Sequence, residues 1–312
     1  MNRRSVLTMG VLGSGILLSG CLGTSSPGGG TEENGHFSQI DCPRFDENAD
    51  RRVCHHRTGA NTTIRLEPSF EKGDTREETL TFTLVNESGQ SIEAGFGLWR
   101  LQYFRNGEWE WIQPIHSFLE GHSLPTDNSH TWTVNHDHTE DMRMRGRNSA
   151  INMRYPGPGV YSFSISVIAN ETIELVILFE IDGETPDLTP QTFEESESDN
   201  GDEIILSPDR EYADDSLTTI LFETTTDVSG KSISRPGLLQ SDILSAGVSY
   251  LEYYDSVEVR APDRWLDTTI ERIRTWHRVD YAVRWNGREE PVSFQYGETG
   301  YQITIAPEST GD

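Results

Sequence analysis

Leu80-Thr81-Phe82-Thr83-Leu84 and Tyr161-Ser162-Phe163-Ser164-Ile165-Ser166-Val167 alternate apolar with hydroxyl-bearing side chains, the two-residue period of a strand with one face on a core. The same pattern predicts strands at 62–66, 79–86, 97–104, 109–112, 130–135, 160–167 and 174–181. Residues 175–181 are apolar almost throughout, as a strand covered on both faces would be. Short strands in a row with no helical period predict an all-β sandwich over residues 58–181. Further along the period changes. Residues 217–223 read as a strand, and after Arg235-Pro236 the residues Leu239, Ile243, Ala246 and Tyr250 fall at helical spacing. Ala261-Pro262-Asp263 opens a second predicted helix, with Leu266, Ile270 and Ile273 on one face. Val279, Tyr281, Val283 and Trp285, then 291–296 and 301–305, return to strands. Residues 204–306 are therefore predicted as a small α+β domain, making a mixed fold, with 307–312 as a tail.

Between these regions, residues 182–203 hold nine acidic and no basic residues, with few large apolar ones, and read as a solvated linker. Residues 24–34 (TSSPGGGTEEN) read as a flexible tether. The N-terminus differs again. Arg3-Arg4 is followed by the apolar run 6–18, broken only by Thr8 and Ser14, and then by Ser19-Gly20-Cys21. A positive end, a short apolar run and small residues make residues 1–20 a signal peptide. Leu18-Ser19-Gly20-Cys21 resembles the lipobox of bacterial and archaeal lipoproteins, which implies lipid on Cys21 and an extracytoplasmic protein held to the outer face of the membrane. Arg3-Arg4 with Ser5-Val6-Leu7 resembles a twin-arginine signal, which implies folding before export. Residues 21–57 then hold the anchor, the tether and a segment with Cys42 and Cys54. Once Cys21 takes lipid these two form an even pair, and in an oxidising compartment a disulfide is the simplest inference; a metal site with His55 and His56 is the alternative.

Charge narrows the setting. The chain has 51 acidic and 25 basic residues and a net charge of −26, which becomes −28 without residues 1–20. Lysine occurs only at Lys72 and Lys231. Abundant Asp and Glu with Arg retained resembles proteins of salt-loving archaea, where a Debye length of about 3 Å near 1 M salt screens the repulsion. A nucleic-acid partner is disfavoured, because phosphate binding needs a basic stripe and the chain has none.

The turn Pro158-Gly159-Val160-Tyr161 into an alternating strand resembles the penultimate strand of immunoglobulin-like lipoprotein modules. Leu84-Val85-Asn86-Glu87-Ser88-Gly89 resembles a turn of small extracytoplasmic domains of the intracellular proteinase inhibitor type, and it is the fold that this implies, not inhibition.

Candidate chemistry is sparse. The chain lacks GxSxG, HExxH, a phosphate-cradling loop and an EF-hand loop, so a non-enzymatic binding or scaffolding module is expected; a hydrolase in the α+β region has no nucleophile and base that can be named. Five of the nine histidines (His116, His122, His130, His136 and His138) crowd one stretch. His130, His136 and His138 are the candidate ligands for copper or zinc, although solvated histidines in a polar loop would look the same. Asn61, Asn86 and Asn170 stand in glycan sequons. Asp255, Glu258 and Asp263 near Arg260 and Arg264 read as a salt-bridge network or an acid pair.

Asn106-Gly107 predicts a two-residue hairpin turn. That register sets Arg105 opposite Glu108, Phe104 opposite Trp109, Gln102 opposite Trp111 and Leu101 opposite Ile112. One sheet face carries Trp99, Leu101, Tyr103 and Ile112, which suit a core. The other carries Phe104, Trp109 and Trp111, an aromatic strip for a surface protein or sugar unless the stretch 117–129 or the second domain covers it.

Cys21→Ser should abolish partition of the protein into the detergent phase with membrane lipids. A variant that still partitions as the native protein does would rule out the lipid anchor.

Overall fold

A computed structural model of the chain describes residues 37–58, 62–113, 121–136, 150–188, 193–197, 201–208, 217–226, 231–262, 265–266, 269 and 291–305. In chain order the first elements are β1 (Arg51–Cys54), α1 (His55–Thr58), β2 (Ile64–Pro68), β3 (Lys72–Gly73), β4 (Thr81–Asn86), β5 (Ile92–Gly95) and β6 (Arg100–Arg105). Then come β7 (Glu108–Gln113), β8 (Gly121–Leu124), β9 (Asn128–Asn135), β10 (Ala150–Asn152), β11 (Gly159–Ile168) and β12 (Thr172–Ile181). The rest are β13 (Phe193–Glu197), β14 (Glu203–Pro208), β15 (Leu217–Thr225), β16 (Lys231–Ser232), α2 (Arg235–Leu239), α3 (Asp242–Tyr250), β17 (Ser256–Pro262), β18 (Val292–Tyr296) and β19 (Thr299–Ile305).

Among the described residues the protein is mostly β, with three sheets. The first has eight strands centred on the β11–β12 hairpin: β1 and β3 pair with β12, β5 and β6 with β11, β7 with β6, and β8 with β5. The second runs β10-β9-β4-β2, and the third β13-β14-β17-β15-β19-β18-β16. The hydroxyl–apolar alternation explains why the first two pack. Phe82 and Leu84 of β4 and Trp132 of β9 meet Phe163 of β11 and Phe179 of β12 in one buried cluster, with Phe82 stacked on Phe163 at 4.0 Å. Each such side chain contributes roughly 1.5–3 kcal/mol on burial. A separate cluster joins the third sheet to the helices through Phe222, Val257, Val259, Leu238, Ile243 and Leu244. Gly247 of α3 lies against the Phe222 ring, where any Cβ would collide with the ring carbons.

All seven strands expected between 62 and 181 form, and others join them. The stretch 182–203 is not simply a solvated linker. Leu188 and Phe193 are buried in the second cluster and β13 pairs antiparallel with β14, with Glu194, Glu195 and Ser196 exposed. The segment 37–57 is likewise part of the fold, because β1 pairs in parallel with β12. The predicted helix from Arg235 is two helices: Ser241 caps α3 by accepting from the Leu244 N–H, and Ser234 caps α2 through Gly237. Residues 256–262 form an unexpected strand between β14 and β15, with Val257, Val259 and Ala261 alternating into the core and Pro262 ending it; beyond the proline, Trp265, Leu266 and Thr269 are helical, where the second helix was expected. Ile270, Ile273 and the alternating run 279–285 lie outside the described residues.

Polar side chains join the two clusters. Glu110 Oε1 accepts from the Ser234 N–H at 2.9 Å and from its hydroxyl at 2.8 Å. The Arg154 N–H donates to Gln240 Oε1 at 3.1 Å, and Gln240 Nε2 donates back to the Arg154 carbonyl at 3.0 Å. The Arg154 guanidinium pairs with Asp242, a fully buried carboxylate in the first turn of α3. Losing one partner of such a pair leaves a buried charge and costs about 3–5 kcal/mol.

Asn86 is a second fixed point. Its side-chain amide donates to the carbonyls of Gln90 (2.8 Å), Leu124 (3.0 Å) and Pro125 (3.0 Å), while its oxygen accepts from the Ser88 N–H (3.2 Å) and hydroxyl (2.7 Å). The Asn-x-Ser turn is therefore a buried knot tying β4 to the strand before β9. Asn86→Ala should lower stability by about 1–3 kcal/mol, because buried carbonyls lose their donor. Denaturant unfolding in molar salt measures this, and an unchanged midpoint would refute the structural role of the knot.

Candidate functional site

The β6–β7 hairpin turns at Asn106 and Gly107, whose φ angles of 53° and 85° are both positive, as a two-residue turn of this kind requires. Arg105 pairs with Glu108, Phe104 with Trp109 and Gln102 with Trp111, as expected from the turn. Leu101 pairs with Gln113 instead of Ile112, because the register shifts between Leu101 and Gln102. Such an irregularity lets Ile112 stay in the core with Trp99 and Leu101. Phe104, Trp109 and Trp111 face outward, and each is half-buried.

Of the 117–129 stretch, residues 117–120 lie outside the described residues. Within that stretch residues 121–124 are β8, an added strand of the first sheet. The cover is the N-terminal strap, residues 37–46. Phe37 is fully buried against Val176 and Leu178 on the outer face of β12, with Ile40, Cys42, Trp109 and Val160 around them. The Trp109 Nε1–H donates to the Asp41 carbonyl at 2.8 Å, and the Phe45 N–H donates to Glu174 Oε1 at 2.8 Å. The other Glu174 oxygen accepts from Arg52 Nε at 2.7 Å, so this fully buried carboxylate is held by the strap and by β1 together. The Arg100 guanidinium lies 4.5 Å from the Trp111 ring centroid and 4.7 Å from that of Phe45, bridging strap and strip. Cation–π contacts of this kind contribute about 0.5–2 kcal/mol each.

A Cys42–Cys54 disulfide closes the strap onto β1, with the two Cα atoms 6.4 Å apart. Tying off a loop of this length stabilises by about 3 kcal/mol in the chain-entropy account. His56 stands beside the bridge, its Nδ1 4.0 Å from Cys42 Sγ, with Phe37 edge-on at 6.2 Å.

Of the three candidate ligands, His130 and His136 stand apart. His130 stacks on Phe96 at 3.8 Å, with His122 on the same ring at 5.2 Å. His136 lies beyond the far end of β9, its Nδ1 3.2 Å from the Met153 carbonyl and its ring edge-on to Tyr155. Six residues of extended chain put His130 and His136 about 20 Å apart, too far to share an ion. His116 and His138 lie outside the described residues, and among the described residues no three His, Cys, Asp or Glu side chains gather as a metal site. Of the sequons, Asn86 is buried and fully bonded, Asn170 is exposed at a hairpin tip, and Asn61 lies outside the described residues. Glu258 pairs with Arg260 at 2.7 Å as a surface ion pair along β17; Asp263 and Arg264 lie outside the described residues. Sequence reasoning missed the strap; its one signal was the doubly apolar strand 175–181, which demanded a second cover.

Burial holds the His130 imidazole below its usual range, and the neighbouring His122 adds to this. Burial also lowers His56, helped by the charges of Arg57 and His55. A lowered folded value means that the unfolded chain binds the proton first. The stability these rings contribute is thus complete above the ordinary imidazole value of about 6.5 and is lost as pH falls below it. Unfolding at fixed salt should show a falling midpoint from pH 7.5 to 5, with a smaller fall for His130→Phe. An identical fall in the variant would clear His130 as a source.

No protein-family model matches the chain and no curated protein matches it, so its function has to be read from these residues.

Proposed function

We propose that this chain is a lipid-anchored extracytoplasmic protein of a salt-loving cell, serving as a non-enzymatic binding or scaffolding module. The observation that carries this is the mount. The end of the chain that bears Cys21 runs into a strap that is buried at Phe37, bonded through Trp109 and Phe45, and closed by the Cys42–Cys54 bridge. A body tethered by its N-terminus is well served by a fixed point where the tether meets the sheet. The lipobox, the twin-arginine-like pair and the acidic surface support the same reading.

The first half is best understood as an immunoglobulin-like sandwich. One sheet takes β2, β4 and β9; the other takes β6, β11 and β12, with β1 added in parallel at the edge. The Tyr161 hydroxyl donates to the Gly157 carbonyl at 2.9 Å, four residues upstream at the start of β11, which resembles the tyrosine corner of such sandwiches. The second half fits a small α+β domain, fixed to the first through Arg154, Asp242, Glu110 and Ser234.

The surface proposed for a partner protein or a surface sugar is what the strap leaves uncovered of Phe104 and Trp111, beside Arg100. Trp109 is committed to the strap. Rigid aromatics next to an arginine supply much of the energy at protein interfaces. Photo-crosslinking in intact cells from position 104 or 111 should give a discrete adduct, whereas position 253, where Tyr253 is 79% exposed in the other half, should not. Adducts from neither strip position, or equal adducts from all three, would overturn the strip as the binding surface.

A further inference from the structure

We propose that Asn170 is an N-glycosylation site and that Asn86 is not, an inference that rests on the extracytoplasmic reading above. Both asparagines stand in the same three-residue pattern, Asn86-Glu87-Ser88 and Asn170-Glu171-Thr172, and sequence gives no reason to separate them. Their surroundings do. The Asn86 amide nitrogen is fully buried and directed at three backbone carbonyls, so attaching a sugar there would require the knot between β4 and β8 to open.

Asn170 is the middle residue of the three-residue turn between β11 and β12, a turn closed by the Ala169 N–H donating to the Glu171 carbonyl at 3.0 Å. Its side chain is exposed, and none of the described residues hydrogen-bonds it. The turn is also held in place. The Thr172 N–H donates to Asp50 Oδ2 at 2.8 Å, and Glu171 pairs with Arg51 at 2.8 Å. Ile168, 52% exposed at the base of the turn, presents an apolar patch that a glycan at Asn170 would shade.

The resemblance to a twin-arginine signal sharpens the contrast, since a protein exported already folded offers only its exposed sequons to a transferase on the outer face. The donor is an oligosaccharide carried on a polyprenyl phosphate or pyrophosphate. The Asn170 amide nitrogen bonds to C1 of the first sugar as the C1–O bond to phosphate breaks. The lipid phosphate leaves with that electron pair, and one amide proton passes to a base. No oxidation or reduction is involved.

Peptide mapping by mass spectrometry of the full-length protein from its own membrane tests this. The peptide with Asn170 should carry an oligosaccharide mass and the peptide with Asn86 none. Asn170→Gln and Thr172→Val should each abolish the mass, while Thr172→Ser keeps it. A bare Asn170 in protein that carries lipid on Cys21 would overturn the glycan site alone; a bare Asn170 in protein without lipid would overturn the extracytoplasmic reading with it. Sugar on Asn86 would overturn the selectivity.

Discussion

From Ile173 to Phe179 every side chain of β12 is buried, so apolar groups point to both faces of one strand, and a single core can cover only one of them. Ile173, Leu175, Ile177 and Phe179 face the core shared with the second sheet, while Val176 and Leu178 face outward and require separate cover. Phe37 and Trp109 supply it, and Glu174, the one ionisable group in the run, is satisfied by the strap backbone and Arg52. The seating of the strap and the partial covering of the aromatic strip follow from this need to bury the outer face of β12.

The same device decides how much of the hairpin face is available. Trp109 is both a wall of the small outer cluster and a donor to the strap, so it is committed to the strap. Phe104 and Trp111 lie at its margin, where Arg100 stacks between Trp111 and Phe45. Strap and candidate surface are therefore adjacent on one sheet. The opposite connection, through Glu110 and the caps of α2 and α3, is polar but buried at Asp242. The two clusters are thereby linked by charge and hydrogen bonds and do not merge into one apolar core.

By itself, the sequence determined the strands whose side chains alternate, the turn at Asn106-Gly107, the pairing of Cys42 with Cys54 and the β-rich character of the chain, because each is a local consequence of backbone period, positive φ or an even thiol count. It misread the stretches whose fate depends on distant partners. Residues 193–197 are acidic enough to suit a linker, yet β14 offers them an edge and Phe193 a place in the core. Residues 256–262 alternate in plain sight, but as a strand they need β14 and β15 on either side, while the helix expected after Pro262 is present at Trp265, Leu266 and Thr269. Only the tertiary structure decided that the strap covers β12, that Asn86 is a knot while Asn170 is free, and that His130 and His136 stand at opposite ends of a strand. Identical short motifs acquire opposite fates from burial, and burial is a property of which chain segments meet.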